Sequence, residues 1–312
     1  TSSTPAGTPT PPMNKPTRRS PDYLMRASWH DYRRPGAYLL TLAAAELAGP
    51  FSSVLSDETV SLSPIGIVIY RAIRELPELF AGVQIPAYVI MPDHVHLVLR
   101  KIRMSPVSVG MVVAKLKSLV TQRIGAPQFA KGFNDKISFS KAQTAAFVCY
   151  VRDNPRRFRL RRLNPDYFVS RHTVEFGNQT LLSFGNPELL KHPVKCAVRY
   201  SRSYSAAELK SKIEEWDEVI RQGGVLCSPF IHEQERKVLN RAIDSGASII
   251  LVQHCGFPER YKPGGKLFEL CARGRLFVVA LNEYSTRRRE LTRADCLAMN
   301  EIAAALAAHC VR

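Results

Sequence analysis

The chain has no apolar run approaching the ~20 residues a spanning helix requires, so no transmembrane helix is expected in its 312 residues. No basic, apolar and small-residue series opens it, so no secretory leader is expected. Seven cysteines, at 149, 196, 227, 255, 271, 296 and 310, form no C-x-x-C pair. Their odd number and scatter argue against a disulfide framework or a thiolate zinc site, and for a reducing, cytoplasmic setting. Acidic residues are scarce: 27 Asp and Glu face 44 Lys and Arg, a formal net charge of +17. Such a surplus favours a polyanionic partner through counterion release, and without a spanning segment nucleic acid fits better than a bilayer surface.

Chemistry concentrates in Tyr88 to Arg100, YVIMPDHVHLVLR. Positions i and i+2 of a strand share a face, so His94 and His96 present two imidazoles side by side, half of a metal site. Val95, Leu97, Val98 and Leu99 are good strand formers, and Met91-Pro92-Asp93 reads as the turn from the preceding strand IPAYVI. Two histidines on a half-buried strand are the plain alternative. Some fifty residues on, in AAFVCYVRDNPRRFRLRR, Tyr150 and Asn154 stand four apart and so share a helix face, and Pro155 is expected to end that helix. Alone, Tyr150 reads as a packed aromatic. Cys149, one position earlier, is expected to face away and serve packing.

Taken together, MPDHVHLVL followed by Y-x-x-x-N-P resembles the HUH transposase superfamily with one catalytic tyrosine, in particular the REP-associated tyrosine transposases. The resemblance runs from Trp29 to Phe168. It takes in W-x-x-Y-R-x-P-G-x-Y-x-x-T (Trp29, Tyr32, Arg33, Gly36, Tyr38, Thr41) and the basic tail DNPRRFRLRRLNPDYF. It implies that His94, His96 and Asn154 hold a divalent metal, Mg2+ or Mn2+. It also implies that Tyr150 attacks a DNA phosphodiester to give a 5′-phosphotyrosine with release of a 3′-hydroxyl. The implied partner is single-stranded or hairpin DNA, and relatives act as a monomer or a homodimer. The residue types suit the chemistry. A cation polarises a phosphate oxygen, two imidazoles and an amide leave coordination positions open, and a phenolate can both attack and leave. Asp135 and Lys136, in GFNDKI, stand where relatives carry a His-Asp-Arg-like run, a departure from the family pattern.

Arg152, Arg156, Arg157, Arg159, Arg161 and Arg162 crowd the segment around and after Tyr150, and Lys115 and Lys117 line the polar side of an earlier helix, SVGMVVAKLKSLVTQRI. All eight are candidate contacts to the DNA backbone. An alternative pairs the arginines with Glu214, Glu215, Asp217 and Glu218 as a clamp. Tyr167 and Phe168 are candidates for stacking on unpaired bases, with a core role for Phe168 as the alternative.

The length suggests two domains. Residues 1–20, rich in Thr, Ser and Pro with a basic end, are expected to be a disordered tail. Residues 21–170 are expected to form an α+β ferredoxin-like (HUH) domain, 171–190 a linker, and 191–312 a smaller α/β Rossmann-like domain. In the last, VKCAVRYS, GGVLCSP, ASIILVQHCGF and GRLFVVAL read as buried parallel strands between helical segments, giving a doubly wound sheet. That layout is similar to the DNA-processing protein A group, but Ser228-Pro229-Phe230 replaces the Gly-rich phosphate turn and Pro229 removes a donor. Ser228, the helix start near Glu233, and Arg273 or Arg275 are the candidates if an anion binds there. The expectation for the whole chain is a cytoplasmic, nucleoid-associated transposase that nicks and rejoins single-stranded DNA. The alternative is a non-catalytic protein that uses the same scaffold to bind structured or palindromic DNA.

Overall fold

The computed structural model describes residues 27, 29–177, 179–259, 261–285 and 290–308. The tail expected over 1–20 and Cys310 lie outside the described residues. The chain divides into two compact units at Arg159 and Leu160. No helix among the described residues is long and apolar enough to cross a membrane.

The first unit opens with β1 (Gly36–Ala43), followed by a ribbon of β2 (Ser52–Val54) and β3 (Val60–Leu62). Then come α1 (Pro64–Leu79), β4 (Val83–Ile90), β5 (His94–Lys101), α2 (Val109–Ile124) and β6 (Asn134–Ser138). β4, β5, β1 and β6 form one sheet in that order, every neighbouring pair antiparallel. This twofold strand-helix-strand repeat, with the first strand of each half (β1 and β5) at the centre of the sheet and the second of each (β4 and β6) at an edge, is the ferredoxin-like arrangement.

Period-2 alternation gives the sheet two faces. Tyr38, Leu40 and Leu42 of β1 and Val95, Leu97 and Leu99 of β5 are buried against α1 and α2. Each large aliphatic side chain so buried contributes about 1.5–3 kcal/mol. Ser63 caps α1 by accepting from the Gly66 amide at 3.1 Å, with Pro64 in the first turn where its missing N–H costs nothing. Gly66 is required by packing, since a Cβ there would lie 2.0 Å from the Phe51 carbonyl oxygen. Ser108 caps α2, and Gly125, at φ 83°, closes it in the left-handed region.

The opposite face is covered by α3 (Lys141–Leu163), whose Phe147 and Val151 pack on Leu39, Ala87 and Val98. Pro155 does not end this helix, which runs eight residues further to Leu163. A proline inside a helix removes one ladder hydrogen bond and costs about 3 kcal/mol. The bond lost is the one the Val151 carbonyl would accept; burial of Pro155 offsets part of that cost, and one residue earlier the Asn154 side-chain amide donates to the Tyr150 carbonyl at 3.2 Å.

In the second unit, residues 171–190 are not a linker. They belong to a hairpin, β7 (Ser170–Phe176) and β8 (Gln179–Gly185), and a 3-10 turn (Pro187–Lys191). β8 pairs antiparallel with the last strand of a parallel set, β9 (Lys195–Ala197), β10 (Val225–Ser228), β11 (Ser248–Gln253) and β12 (Leu276–Ala280). The six-stranded order is β7-β8-β12-β11-β10-β9. The parallel strands therefore lie in chain order, and the sheet is not doubly wound. α4 (Ala206–Arg221), α5 (Glu233–Asp244) and α6 (Gly265–Ala272) all pack on one face, through Trp216, Val238, Ala242, Leu270 and Cys271. α7 (Arg293–Ala308) packs on the other, through Met299, Ile302, Ala303 and Leu306. Three successive crossovers of one hand put three helices on one side, and only a reversal of strand order would have divided them.

Candidate functional site

The strand period that sends Val95 and Leu97 into the core sends His94 and His96 to the face beneath α3. Their ring centroids are 4.5 Å apart at 74°. His96 is 8% exposed, and its ring lies 5.4 Å from that of Tyr150. Asn154, 9% exposed, is one turn further along α3 and tied to Tyr150 by the hydrogen bond already described. The structure thus brings His94, His96 and Tyr150 together, from two elements that sequence spacing alone left unconnected, with Asn154 one turn along α3 from Tyr150.

Two further residues orient the imidazoles. Nδ1 of His94 bonds an Asp93 carboxylate oxygen at 2.6 Å, and Nδ1 of His96 bonds the Thr41 hydroxyl at 2.8 Å. Thr41 stands opposite His96 in the β1–β5 register, which sets this contact. Such partners fix ring orientation and the nitrogen presented to a metal, here Nε2. In the sequence Asp93 reads as a turn residue and Thr41 as part of a motif. The available signals were a carboxylate adjacent to a histidine, and a lone hydroxyl among the leucines of β1.

Among the described residues no group of three His, Cys, Asp or Glu side chains is placed to hold a metal ion. The donor set that the resemblance implies is two imidazoles and an amide oxygen. With the Asn154 NH2 engaged on the backbone, its oxygen is the remaining donor, and the set fits a cation that completes its shell with water or phosphate oxygens.

The arginines divide by environment. Arg157 lies with its guanidinium carbon 5.7 Å from the Tyr150 ring centroid and 4.0 Å from Asp153 by its nearest nitrogen. Arg156 pairs with Asp153 at 2.7 Å, and Arg159 donates to the Leu55 carbonyl at 3.1 Å. Arg152 and Arg162 are exposed and Arg161 is half-buried, and Arg161 and Arg162 belong to the second unit. Lys115 is exposed, but α2 packs on the sheet face away from the histidines. Lys117 is committed elsewhere: its ammonium donates to the carbonyls of Ala130, at 2.6 Å, and Gly132. Burial pushes its pKa below the ordinary lysine range. It ties a loop down and is not placed as a backbone contact.

Other expectations are corrected. Cys149 is exposed. For Phe168 the alternative holds: it packs against the second unit's core, 5.2 Å from the Phe268 ring, and Tyr167 packs against that core as well. Glu214, Glu215, Asp217 and Glu218 pair with Lys210, Lys212, Arg241 and Arg221 of their own unit. The anion candidates do not meet: Ser228 ends β10, whereas Arg273 and Arg275 immediately precede β12, at the opposite end of a parallel sheet. Ser228 is fully buried with its hydroxyl accepting from the Phe230 amide at 2.9 Å, and Glu233 pairs with Lys237 at 3.0 Å.

No family model and no curated protein matches the chain. Among solved structures, it aligns over 43% of its length with 74% of a REP-associated tyrosine transposase bound to a REP hairpin, at 15% identity and a TM-score of 0.34. It aligns over 41% of its length with 96% of a putative transposase from Deinococcus radiodurans R1, at 16% identity and a TM-score of 0.25. At this level of likeness neither assigns a role to the chain.

Proposed function

We propose that the first unit cleaves and rejoins single-stranded DNA through Tyr150, as a transposase does, with Mg2+ or Mn2+ held by His94, His96 and Asn154. The observation that carries this reading is the approach of the Tyr150 ring to His96, itself 4.5 Å from His94, beneath a basic helix. The bound cation would polarise a non-bridging phosphate oxygen. Tyr150 Oη attacks phosphorus and gives up its proton, the P–O3′ bond breaks, and the 3′-oxygen leaves protonated; the 5′ end stays on the tyrosine. Attack by a free 3′-hydroxyl breaks the P–O bond to Tyr150 and returns the proton to the phenol, which rejoins the strand without a high-energy cofactor. Thr41 and Asp93 hold the two imidazoles in register. Arg157 sets a positive charge beside the reacting group, where it offsets the negative charge of the transition state.

The second unit, read as a Rossmann-like layer, serves a structural or DNA-accessory role rather than as a nucleotide site. Supporting this, the β10–α5 turn has a proline in place of one donor and an internally bonded serine. Tyr150→Phe tests the main reading. Covalent capture of a hairpin oligonucleotide on a denaturing gel is expected to disappear while affinity stays within about twofold, because only the nucleophilic oxygen is lost. An adduct that persists in the variant rejects Tyr150. A wild type that binds the hairpin and never forms an adduct is a DNA-binding scaffold without cleavage.

A further inference from the structure

A second feature of the first unit lies away from the Tyr150 centre. A cleft of about 750 Å³ runs between the start of β1, the end of β5 and the first turns of α3, lined by Gly36, Ala37, Arg100, Ser138, Lys141 and Thr144 among others. Arg100 and Lys141 are exposed and make no ion pair among the described residues. Phe139 sits between the lining residues Ser138 and Ser140 and is 71% exposed. Trp29, 69% exposed, stacks with it at a centroid distance of 6.1 Å and an interplanar angle of 26°. Two large aromatic rings offered to solvent side by side give up burial worth about 1.5–3 kcal/mol for a side chain of this kind. The pair is held in place: His30 meets the Trp29 ring edge-on at 5.6 Å and bonds the Tyr38 hydroxyl at 2.9 Å, and the Phe139 amide donates to the Gln143 side chain at 2.8 Å.

We infer that this cleft and its aromatic rim form a subsite for unpaired nucleotides of a DNA strand, with a base stacked on Trp29 and Phe139 and phosphates beside Arg100 and Lys141. The inference rests on the DNA reading above and adds where the strand runs. An aromatic platform next to a cationic groove is the combination that holds single strands without reading their sequence, since every base has a π-face and every linkage a charge. Position along the sheet supports continuity with the Tyr150 centre. Arg100 follows His96 by four residues on the same face of β5, about 14 Å at 3.4 Å per residue. At the duplex rise of about 3.4 Å per nucleotide that distance takes about four nucleotides, and an unpaired strand, being more extended, crosses it in fewer. Exposed charge alone would serve a duplex equally well, whereas an exposed aromatic pair has no use for bases that are already stacked.

The test uses the full chain and a hairpin oligonucleotide with a single-stranded tail. Trp216 is buried in the second unit's core, so Trp29 is the exposed tryptophan of the two in the chain. Quenching of tryptophan fluorescence on titration is expected, and it should vanish in Trp29→Leu. Trp29→Leu and Phe139→Leu should each weaken binding, read by anisotropy, by about 5- to 150-fold, and Trp29→Phe should restore most of it. Abasic nucleotides scanned along the tail should reproduce the loss at one or two positions in wild type and add nothing in Trp29→Leu. If wild type binds the oligonucleotide while both leucine variants bind equally well and abasic positions have no effect, the subsite is wrong and the Tyr150 reading stands. If wild type fails to bind the oligonucleotide at all, both fall. Because both rings are exposed, the leucine variants are expected to keep the wild-type melting temperature, which separates lost stacking from lost folding.

Discussion

Replacing Thr41 with valine isolates the second layer of the Tyr150 centre. The two side chains are close in volume, and valine suits the middle of a strand at least as well as threonine, so the strand should keep its course and any loss of stability should come from the hydroxyl alone. What is lost is a single hydrogen bond of 2.8 Å to Nδ1 of His96, whose ring is 8% exposed and thus has little water to turn to. A buried polar atom left without its partner costs about 1–3 kcal/mol, and residues that orient metal-bound histidines typically carry 10–100-fold in metal affinity or activity; the two ranges agree. The assay is hairpin cleavage against Mg2+ or Mn2+ concentration. Half-saturation should rise about 10- to 100-fold in Thr41→Val, with the maximal rate largely recovered at high metal, because the imidazole is misoriented rather than missing. Thr41→Ser should behave as wild type, and His96→Ala should not recover at any metal concentration. An unchanged half-saturation in Thr41→Val would show that the bond does not orient a ligand.

Three further outcomes follow from the same geometry. Arg152→Gln and Arg162→Gln, at exposed positions, should each flatten the dependence of log affinity on log salt by about 0.7 while leaving sequence preference alone; a slope that does not change removes them from the interface. Lys117→Met should lower unfolding free energy by about 1–3 kcal/mol in denaturant titrations, through the unsatisfied carbonyls of Ala130 and Gly132, with the salt slope unchanged. Burial raises the Tyr38 phenol from its ordinary value of 10 to about 12, so the folded state holds that proton more tightly; the resulting stability is fully present below pH 10 and is lost as pH rises toward about 12. Tyr38→Phe should remove that part of the alkaline decline, and an identical decline in both proteins would refute the assignment.

The centre was legible where local periodicity carries the information. H-x-H on a strand and Y-x-x-x-N on a helix put two residues each on a common face, and the structure keeps both faces. Proline at 155 was misread because the local rule weighs a lost hydrogen bond and cannot weigh burial, which here holds the helix together across the interruption. Lys117 was misread for the reverse reason: a lysine on the polar side of a helix gives no sign that two carbonyls wait for it across a loop. The stretch 171–190 reads as a linker, yet Val174 and Phe176 before Gly177, and Leu182 and Phe184 after it, are the alternation of a hairpin. Its pairing with β12, nearly a hundred residues later, has no local trace. The strand order of the second sheet is equally hidden, because each strand–helix–strand step looks the same whichever neighbour it joins.

That strand order has a consequence for how the second unit is made. One face of the sheet, with Val225, Cys227, Ile250, Phe277 and Val279, is covered by α7, the last described element in chain order. During vectorial synthesis the sheet can be complete at Ala280 while its cover ends 28 residues later, at Ala308. At about 5–20 residues per second this leaves the apolar face bare for roughly one to six seconds, a window in which a nascent chain depends on a chaperone or on luck. A chain halted after β12 should accordingly bind a hydrophobic dye that the full chain ignores.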